Sequence, residues 1–285
     1  MHCPWCAPRC SSDSEPLWLQ VNVSLTARDG SWRPAERALM RRIDRAEPLL
    51  RAAGTDSLWF VRKPPGLRLR LGGPLGPRLK PVLEDILVGA RDDGDVAEWF
   101  YSAYEPETYD LGGPGATAAA HRYFDADTRL YLARERLLVI GGVALSPATQ
   151  CLAVLADLFA RCTGDHGEAW DVWCNLERLY ADIEAPALAL APVSLAGLRR
   201  RAGTAEAHLL SAHEAANIAY AAELDGLWRR GELLWGRRAI LPAIAAFVWN
   251  RHAVPAATIA ACVRAMVVAH NPKRGLVGLA PDPVR

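Results

Sequence analysis

The sequence has almost no excess charge and no apolar run long enough to cross a bilayer. Its 33 basic and 32 acidic residues give a formal net charge of +1, which gives no indication of a nucleic-acid or membrane partner. The longest apolar stretches, such as residues 239–249, fall well short of the ~20 residues of a membrane-spanning helix. The first residues also lack the charged and apolar regions of a secretory signal. We therefore expect a cytoplasmic protein whose seven cysteines are free thiols.

Several widespread sequence motifs are missing as well. The chain contains no Walker loop, no G-x-G-x-x-G after a predicted strand, no H-E-x-x-H and no G-x-S-x-G. Without them, nucleotide-dependent, Rossmann-type, zincin and α/β-hydrolase functions have no support in the sequence.

One motif of metal-binding type stands at the start of the chain. Cys3, Cys6 and Cys10 follow His2, and thiolates at this spacing can converge on one ion. No second cysteine or histidine pair lies nearby to complete the site. The simpler interpretation is a flexible tail over residues 1–15.

Alternating apolar residues predict the strands of the first half. In residues 17–25 the odd positions are apolar and the even positions are Trp18, Gln20, Asn22 and Ser24, which is typical of a half-buried strand. Further strands are predicted over 58–62, 67–71 and 97–104, with amphipathic helices over 33–50 and 79–90.

From residue 117 onward the pattern predicts only helices. We place them at 117–134, 147–162, 167–183, 204–230, 238–250 and 255–269, with a linker at 185–194. Strands and helices followed by helices alone predict an α+β fold with a mixed or antiparallel sheet in the N-terminal half. We expect one domain over residues 16–270, made of a sheet-containing part (16–135) and a helical part (136–270), and then a tail over 271–285.

Two arginines share one face of the third predicted strand. Arg68 and Arg70 alternate with Leu67, Leu69 and Leu71, so the guanidinium groups lie together on the side opposite the core. Such a pair is suited to bind a carboxylate, a phosphate or several peptide carbonyls. The alternative is an exposed strand face with solvated charges.

A dense group of acids and phenols follows the fourth predicted strand. Tyr104, Glu105, Tyr109 and Asp110 precede a Gly-rich loop at 112–115. Loops after strands carry functional groups more often than helix faces do, and a carboxylate near a phenol can act as base and acid. The alternative is ordinary turn chemistry, in which Glu-Pro and Asp near Gly-Gly shape the loop.

The next predicted helix carries a histidine and two carboxylates. His121 and Asp125 are four residues apart and share a face, whereas Asp127 points elsewhere. A carboxylate can orient an imidazole for proton transfer, although a local surface pair explains the spacing equally well.

Another polar group ends the penultimate helix. Trp249, Asn250, Arg251 and His252 follow one another there. Asn at a helix end is a common cap, and Arg or His suits the helix dipole. This group is therefore either a functional site or simple capping.

Taken in order, five segments resemble the domain found at the C-terminus of lantibiotic dehydratases and in stand-alone thiopeptide biosynthesis proteins. The resemblance spans residues 16 to 268. The matching segments are Trp18-Leu19-Gln20-Val21, residues 59–62 leading into 66–71, Tyr104-Glu105-Pro106-Glu107-Thr108-Tyr109 through Gly112-Gly113, residues 121–128, and Trp249-Asn250-Arg251-His252.

This family has two branches with different chemistry. One eliminates glutamate from glutamylated Ser or Thr, and its members use an Arg pair, a further Arg before the Gly-Gly and a His near the Asn-Arg. Arg68 and Arg70 match the pair. Asp110 stands in place of the further Arg, and residues 246–248 contain no His. The chain therefore resembles the other branch more closely.

The other branch forms the six-membered nitrogen ring of thiopeptides. This chain is similar to it in the segment 104–113 and in a His before Phe-x-x-Asp, here His121 and Phe124. The resemblance implies a leader-bearing, azole-containing precursor peptide with two dehydroalanines as substrate. It implies a formal aza-[4+2] cycloaddition followed by loss of water and leader. It implies no metal or redox cofactor, and other maturation enzymes of the pathway become candidate partners.

The resemblance and the chemistry together select the candidate site residues. Tyr104, Glu105, Tyr109 and His121 are the predicted acids and bases. The residues predicted to bind the substrate, by gripping peptide carbonyls or a developing oxyanion, are Arg62, Arg68, Arg70, Asp110, Trp249, Asn250 and Arg251.

Three other functions stay open. The chain can be a glutamate-eliminating subunit of a split dehydratase, because it keeps the Arg pair. It can also be a scaffold that binds the leader without turning it over. The third is a metal-binding module built on Cys3, Cys6 and Cys10.

Overall fold

A computed structural model describes residues 17–188 and 193–272 of the chain. The predicted N-terminal tail with its cysteine motif, residues 189–192 of the predicted linker and all but the first two residues of the predicted C-terminal tail lie outside these ranges. The elements are β1 (Leu17–Leu25), α1 (Arg33–Ala52), β2 (Ser57–Lys63), β3 (Gly66–Gly73), α2 (Leu79–Asp92), β4 (Val96–Ser102), α3 (Pro114–Val139), α4 (Pro147–Thr163), α5 (His166–Leu179), α6 (Leu195–Arg201), α7 (Thr204–Arg229), α8 (Arg237–Arg251) and α9 (Ala256–Ala269).

The four strands form one antiparallel sheet in the order β2-β3-β1-β4. The predicted α+β fold, with the sheet in the N-terminal half and helices after it, is confirmed. Val21, Val23 and Leu25 of β1 are buried against α1 and α2, as the alternation predicts. A shift of one residue would turn this apolar set to the opposite face, so the pattern fixes the register.

The second face of the sheet is covered more than its sequence predicts. β1 is half-buried as predicted, except that Gln20 on its second face is only 6% exposed. On the neighbouring strands, Arg70 and Trp59 of the same face are 4% and 0% exposed. The reason is that α3 and α8 pack against β2 and close this face near Trp59. One end of the sheet is thus buried on both sides.

Side chains of α3 and α8 close the outer edge of β2. The backbone N–H of Leu58 donates to Asp125 Oδ1 at 2.8 Å. The amide of Asn250 pairs with the backbone of Arg62, accepting from N at 2.7 Å and donating to O at 3.0 Å. Free strand edges promote unwanted pairing, and here α3 and α8 both dock on the edge and satisfy it.

Several boundaries differ from the prediction, and one helix was not predicted. β4 ends at Ser102 instead of residue 104, so Tyr104 lies in the following segment. α3 begins at Pro114, three residues early, because proline is favoured in the first turn of a helix. The short helix α6 was not predicted; it begins directly after the predicted linker, where Ser194 Oγ accepts from Gly197 N at 3.0 Å as its N-cap.

The helical part buries its own core between α3, α4, α5, α7, α8 and α9. Phe159, Trp173 and Trp249 are among its fully buried side chains. Among the helices of residues 17–188 and 193–272, none combines the length and apolar character needed to cross a membrane.

Replacing Asn250 with alanine should destabilise the fold. The backbone groups of Arg62 would lose both partners, which is expected to lower the free energy of unfolding by about 1–3 kcal/mol. Chemical denaturation measures this change. The matched control is Asn175→Ala, whose amide contacts are exposed, and it should cost less than about 0.5 kcal/mol. Equal effects of the two variants would contradict the role given to Asn250.

Candidate active site

A row of side chains crosses the buried end of the sheet. The register places Ser102, Gln20, Arg70 and Trp59 side by side on β4, β1, β3 and β2. Gln20 donates from Nε2 to Ser102 Oγ at 2.9 Å and accepts from Arg70 Nε at 2.9 Å. Each strand thus contributes one member, and the pairing of the sheet orients Arg70.

The guanidinium of Arg70 packs against two aromatic rings. Its Cζ is 4.4 Å from the ring centre of Trp59 and 4.3 Å from that of Tyr104, distances typical of cation–π contacts. Glu107 adds a carboxylate oxygen 3.7 Å from Nη2. Burial lowers the pKa of Arg70, but a guanidinium stays charged at any physiological pH. Nη1 is buried and has no hydrogen-bond partner among the described residues.

Tyr104 and His121 meet beside Arg70. The Tyr104 hydroxyl lies 2.8 Å from His121 Nε2, and His121 is only 7% exposed. The rings of Trp18 and Trp59 surround the imidazole, with centroids at 4.4 and 5.5 Å. The segment after β4 supplies the phenol and α3 supplies the imidazole.

The surroundings set the protonation states of this pair. Burial, followed by the charges of Arg70 and Arg122, lowers the pKa of His121 to about 4. Burial raises the pKa of Tyr104, although Arg70 opposes the shift. At neutral pH the imidazole is therefore uncharged and the phenol keeps its proton. Such a pair can accept one proton and give another, as general acid–base catalysis requires.

The predicted pair of His121 with Asp125 does not form. Asp125 shares the face, but its Oδ1 accepts from Leu58 N and from Arg51 Nη2, both at 2.8 Å. The carboxylate is held at the sheet edge, and a phenol takes its expected place beside the imidazole.

Asp127 points elsewhere, as predicted, and joins α3 to α8. It accepts from Arg251 Nε at 2.6 Å and lies 3.1 Å from His252 Nε2. Burial alone would raise the pKa of Asp127, but the charges of Arg251 and His252 overcome it and hold the pKa below the ordinary value. Arg251 is fully buried, and its guanidinium stacks on Phe124.

The other predicted site residues lie apart from the Tyr104–His121 pair. Tyr109 is 64% exposed and packs on Trp235, with ring centroids 4.8 Å apart. Glu105 and Asp110 are exposed. Arg68 is half-buried beside Arg70 and has no hydrogen bond or ion pair to another described residue.

The predicted substrate-binding residues of the helical interface differ in how far the protein satisfies them. Arg62 binds the Glu36 carboxylate and the backbone carbonyls of Asn250 and Arg251. Trp249 is fully buried, and its Nε1 has no hydrogen-bond partner among the described residues, as is also true of Nη1 and Nη2 of Arg251. The geometry gives Arg62 and Asn250 a structural role, and contact of any of these residues with a substrate stays a prediction.

Sequence reasoning missed several parts of the site. Trp18, Gln20 and Trp59 belong to the segments that carry the resemblance, but nothing in their spacing marks them as site residues. Glu107 was passed over within the acidic segment. The sequence did offer one indication of these residues, because Gln20 and Trp18 share one face of the predicted first strand. No group of three or more potential metal ligands occurs in the part of the chain that the structure describes.

Three comparisons with known proteins bear on the family. The family model described as "Lantibiotic biosynthesis dehydratase C-term" matches residues 18–268. No curated protein matches the sequence significantly.

Two solved structures are similar to the chain. The tRNA-dependent lantibiotic dehydratase MibB from Microbispora sp. 107891 superposes with a TM-score of 0.68 at 15% identity. The match covers 92% of this chain and 28% of MibB, and it concerns the fold alone. TsrL aligns over 88% of this chain and 99% of its own at 17% identity, but its TM-score of 0.31 supports no conclusion.

Replacing His121 with glutamine should change how stability depends on pH. The unfolded state binds a proton near pH 6.5, whereas folded His121 resists protonation down to about pH 4. Its contribution is therefore complete above pH 6.5 and is lost as the pH falls toward 4, at about 1.4 kcal/mol per pH unit. Denaturation curves between pH 7 and 4.5 should show a slope shallower by up to this amount in the variant. Identical slopes would show that His121 is protonated normally in the folded state.

Proposed function

The chain belongs to the lantibiotic biosynthesis dehydratase C-terminal family, and we propose that it is a thiopeptide macrocyclase. It forms the central pyridine from two dehydroalanines of a leader-bearing precursor peptide, by formal aza-[4+2] cycloaddition with loss of water and leader. The observation that carries this proposal is the buried Tyr104–His121 pair beside the Arg70 guanidinium.

The chemistry needs proton transfer at one amide. To become an azadiene, the amide must lose its N–H proton and gain a proton on oxygen. The neutral imidazole of His121 can accept the first proton, and the phenol of Tyr104 can supply the second. The free Nη1 of Arg70 can donate a hydrogen bond to the same oxygen and stabilise charge that develops on it.

The later steps use the same groups. Cycloaddition leaves a ring with a hydroxyl group, which departs as water once it is protonated. The leader then departs as an amide that takes up a proton, and the ring becomes aromatic. Both departures are eliminations, so the electrons balance without an oxidant. Each elimination needs one group that gives a proton and one that accepts a proton, and Tyr104 and His121 lie within hydrogen-bond distance of each other.

Aromatic side chains supply the surface on which the reacting groups can be held. Trp18 and Phe247 are half-buried and pack on the fully buried Trp59, at centroid distances of 6.5 and 5.8 Å. The exposed parts of these two rings are the ones that a substrate can reach. Flat azoles and dehydroalanines stack well on such rings. Holding two reacting groups in position can lower a barrier by about 7–11 kcal/mol in favourable cases.

The second candidate function is elimination of glutamate as one subunit of a split dehydratase. The chain spans 28% of the length of MibB, which is described as a tRNA-dependent lantibiotic dehydratase. The observation that favours it is Arg70, whose unpartnered nitrogen also suits a carboxylate. Against it stand Asp110 in place of an arginine, and His252, which is held by Asp127.

Mass spectrometry of one reaction separates the candidates. The substrate is a synthetic leader-bearing peptide that carries azoles and two dehydroalanines, and the same peptide with glutamylated serines is the second substrate. Under the proposed function the mass of the first peptide divides into a free leader and a core that has lost water. Conversion of only a glutamylated peptide, with loss of glutamate, would establish the second candidate. Tight leader binding with no conversion of either peptide would indicate a scaffold.

Removing the Tyr104 hydroxyl should slow the reaction without weakening binding. Tyr104→Phe is expected to lower kcat by roughly 10²-fold or more, with the Kd for the leader unchanged within about two-fold. Tyr180→Phe is the matched control, because it removes the same atom from a half-buried ring that follows α5 and makes no ring contact or side-chain hydrogen bond with the site residues. Single-turnover rates and leader affinity measure the two effects separately. An equal loss of kcat in both variants would show that the Tyr104 hydroxyl is not the catalytic acid.

A further inference from the structure

The two outer edges of the sheet are treated differently. Asp125 and Asn250 satisfy the edge of β2 by bonding to Leu58 and Arg62. β4 is the other edge strand. Its outer side has no strand, helix or side chain bonded to it among the described residues. Within residues 17–188 and 193–272, one edge of the sheet is therefore protected and the other is available for pairing.

The register identifies the free groups on β4. Leu58 and Arg62 bond outward to Asp125 and Asn250, so the odd residues of β2 are the ones that bond to β3. Their partners on β3 are the even residues, which leaves the odd residues of β3 to bond to the odd residues of β1. The even residues of β1 therefore bond to β4.

Glu98, Phe100 and Ser102 then pair with β1. The register shifts at a β-bulge between Ser24 and Leu25, so the alternation holds only from Glu98 onward. The backbone N–H and C=O groups of Trp99 and Tyr101 consequently point away from the sheet.

We propose that an extended segment of the peptide substrate, its leader, adds to the sheet as a fifth strand along β4. Main-chain pairing at a free edge is a common way to bind a peptide with little demand on its sequence. Phe100, whose ring is 58% exposed on the site face of the sheet, offers an apolar contact for one side chain of that strand. The inference rests on the proposed function only in taking the substrate to be a peptide.

Continuity with the candidate site favours a peptide substrate over a second copy of the chain. β4 ends at Ser102, which belongs to the row that holds Arg70 through Gln20. Tyr104 follows two residues later and reaches His121. A strand bound along β4 would therefore run directly toward the Tyr104–His121 pair, and the edge would bring the core of the same peptide to the acid and base.

Hydrogen exchange at single residues tests the pairing without any substitution. The probe is the synthetic leader segment of the peptide used in the mass-spectrometric assay, added at saturation to the full chain. The amides of Trp99 and Tyr101 should become protected at least ten-fold, whereas those of Glu98, Phe100 and Ser102 should change little because they already pair with β1. A bound leader that leaves the two outward amides unchanged would overturn the proposal. Their protection in the free protein, together with a dimer in sedimentation, would overturn it in favour of a second copy.

A proline at the edge provides an independent test. Trp99→Pro removes one outward N–H and is tolerated at a strand edge, so it should weaken leader binding at least ten-fold. Trp99→Val loses the same ring but keeps the N–H, and it should bind as the unaltered protein does. Equal affinities would contradict the proposal. If the proline variant does not fold, two leader peptides replace it, one methylated at its odd backbone nitrogens and the other at its even ones. Only one of these two sets of N–H groups faces β4, so methylation should weaken the binding of one peptide only.

Neither readout requires turnover. If the peptide is not cyclised but protects alternate amides of β4, the proposed reaction is wrong and the proposed binding edge stands. If the peptide is cyclised without protecting these amides, the reaction stands and the binding edge is wrong.

Discussion

Arg70 is a cation buried in the middle of a sheet face, and the candidate site is arranged around it. Removing a charge from water is costly unless polar and aromatic groups compensate. Here the rings of Trp59 and Tyr104 pack against the guanidinium and Gln20 accepts from its Nε. These partners come from β2, from the segment after β4 and from β1, so the cation ties separate elements to one place. Tyr104, drawn in by that cation, is thereby set against His121.

The helical part contributes to the site through the way it docks on the sheet. α3 and α8 attach to the edge of β2 with Asp125 and Asn250, and Asp127 joins the two helices through Arg251 and His252. This docking buries the sheet face near Trp59 and carries His121 into it. The same asymmetry leaves β4 open. The same sheet therefore has a covered edge at β2, near the acid–base pair, and among the described residues an uncovered edge at β4 that can accept a peptide.

Local patterns predicted the elements well, because burial on one face leaves a period of two in strands and a longer one in helices. The helix α6 was missed because it is short and its cap follows a proline- and alanine-rich stretch. The candidate site was only partly predictable. Arg70, Tyr104 and His121 were identified, but their meeting depends on long-range packing that no spacing encodes. Asp125 illustrates the limit: it shares a helix face with His121, yet a backbone N–H of β2 claims it.

The most direct measurement of the central claim is an NMR titration of the His121 imidazole in the unaltered protein and in Arg70→Gln. The account holds that burial and the neighbouring cation keep this imidazole neutral beside Tyr104. It predicts a pKa of about 4 in the unaltered protein and a clear rise when the Arg70 charge is removed. A pKa near 6.5 that does not respond to the loss of Arg70 would contradict it, because His121 would then be an ordinary solvated histidine.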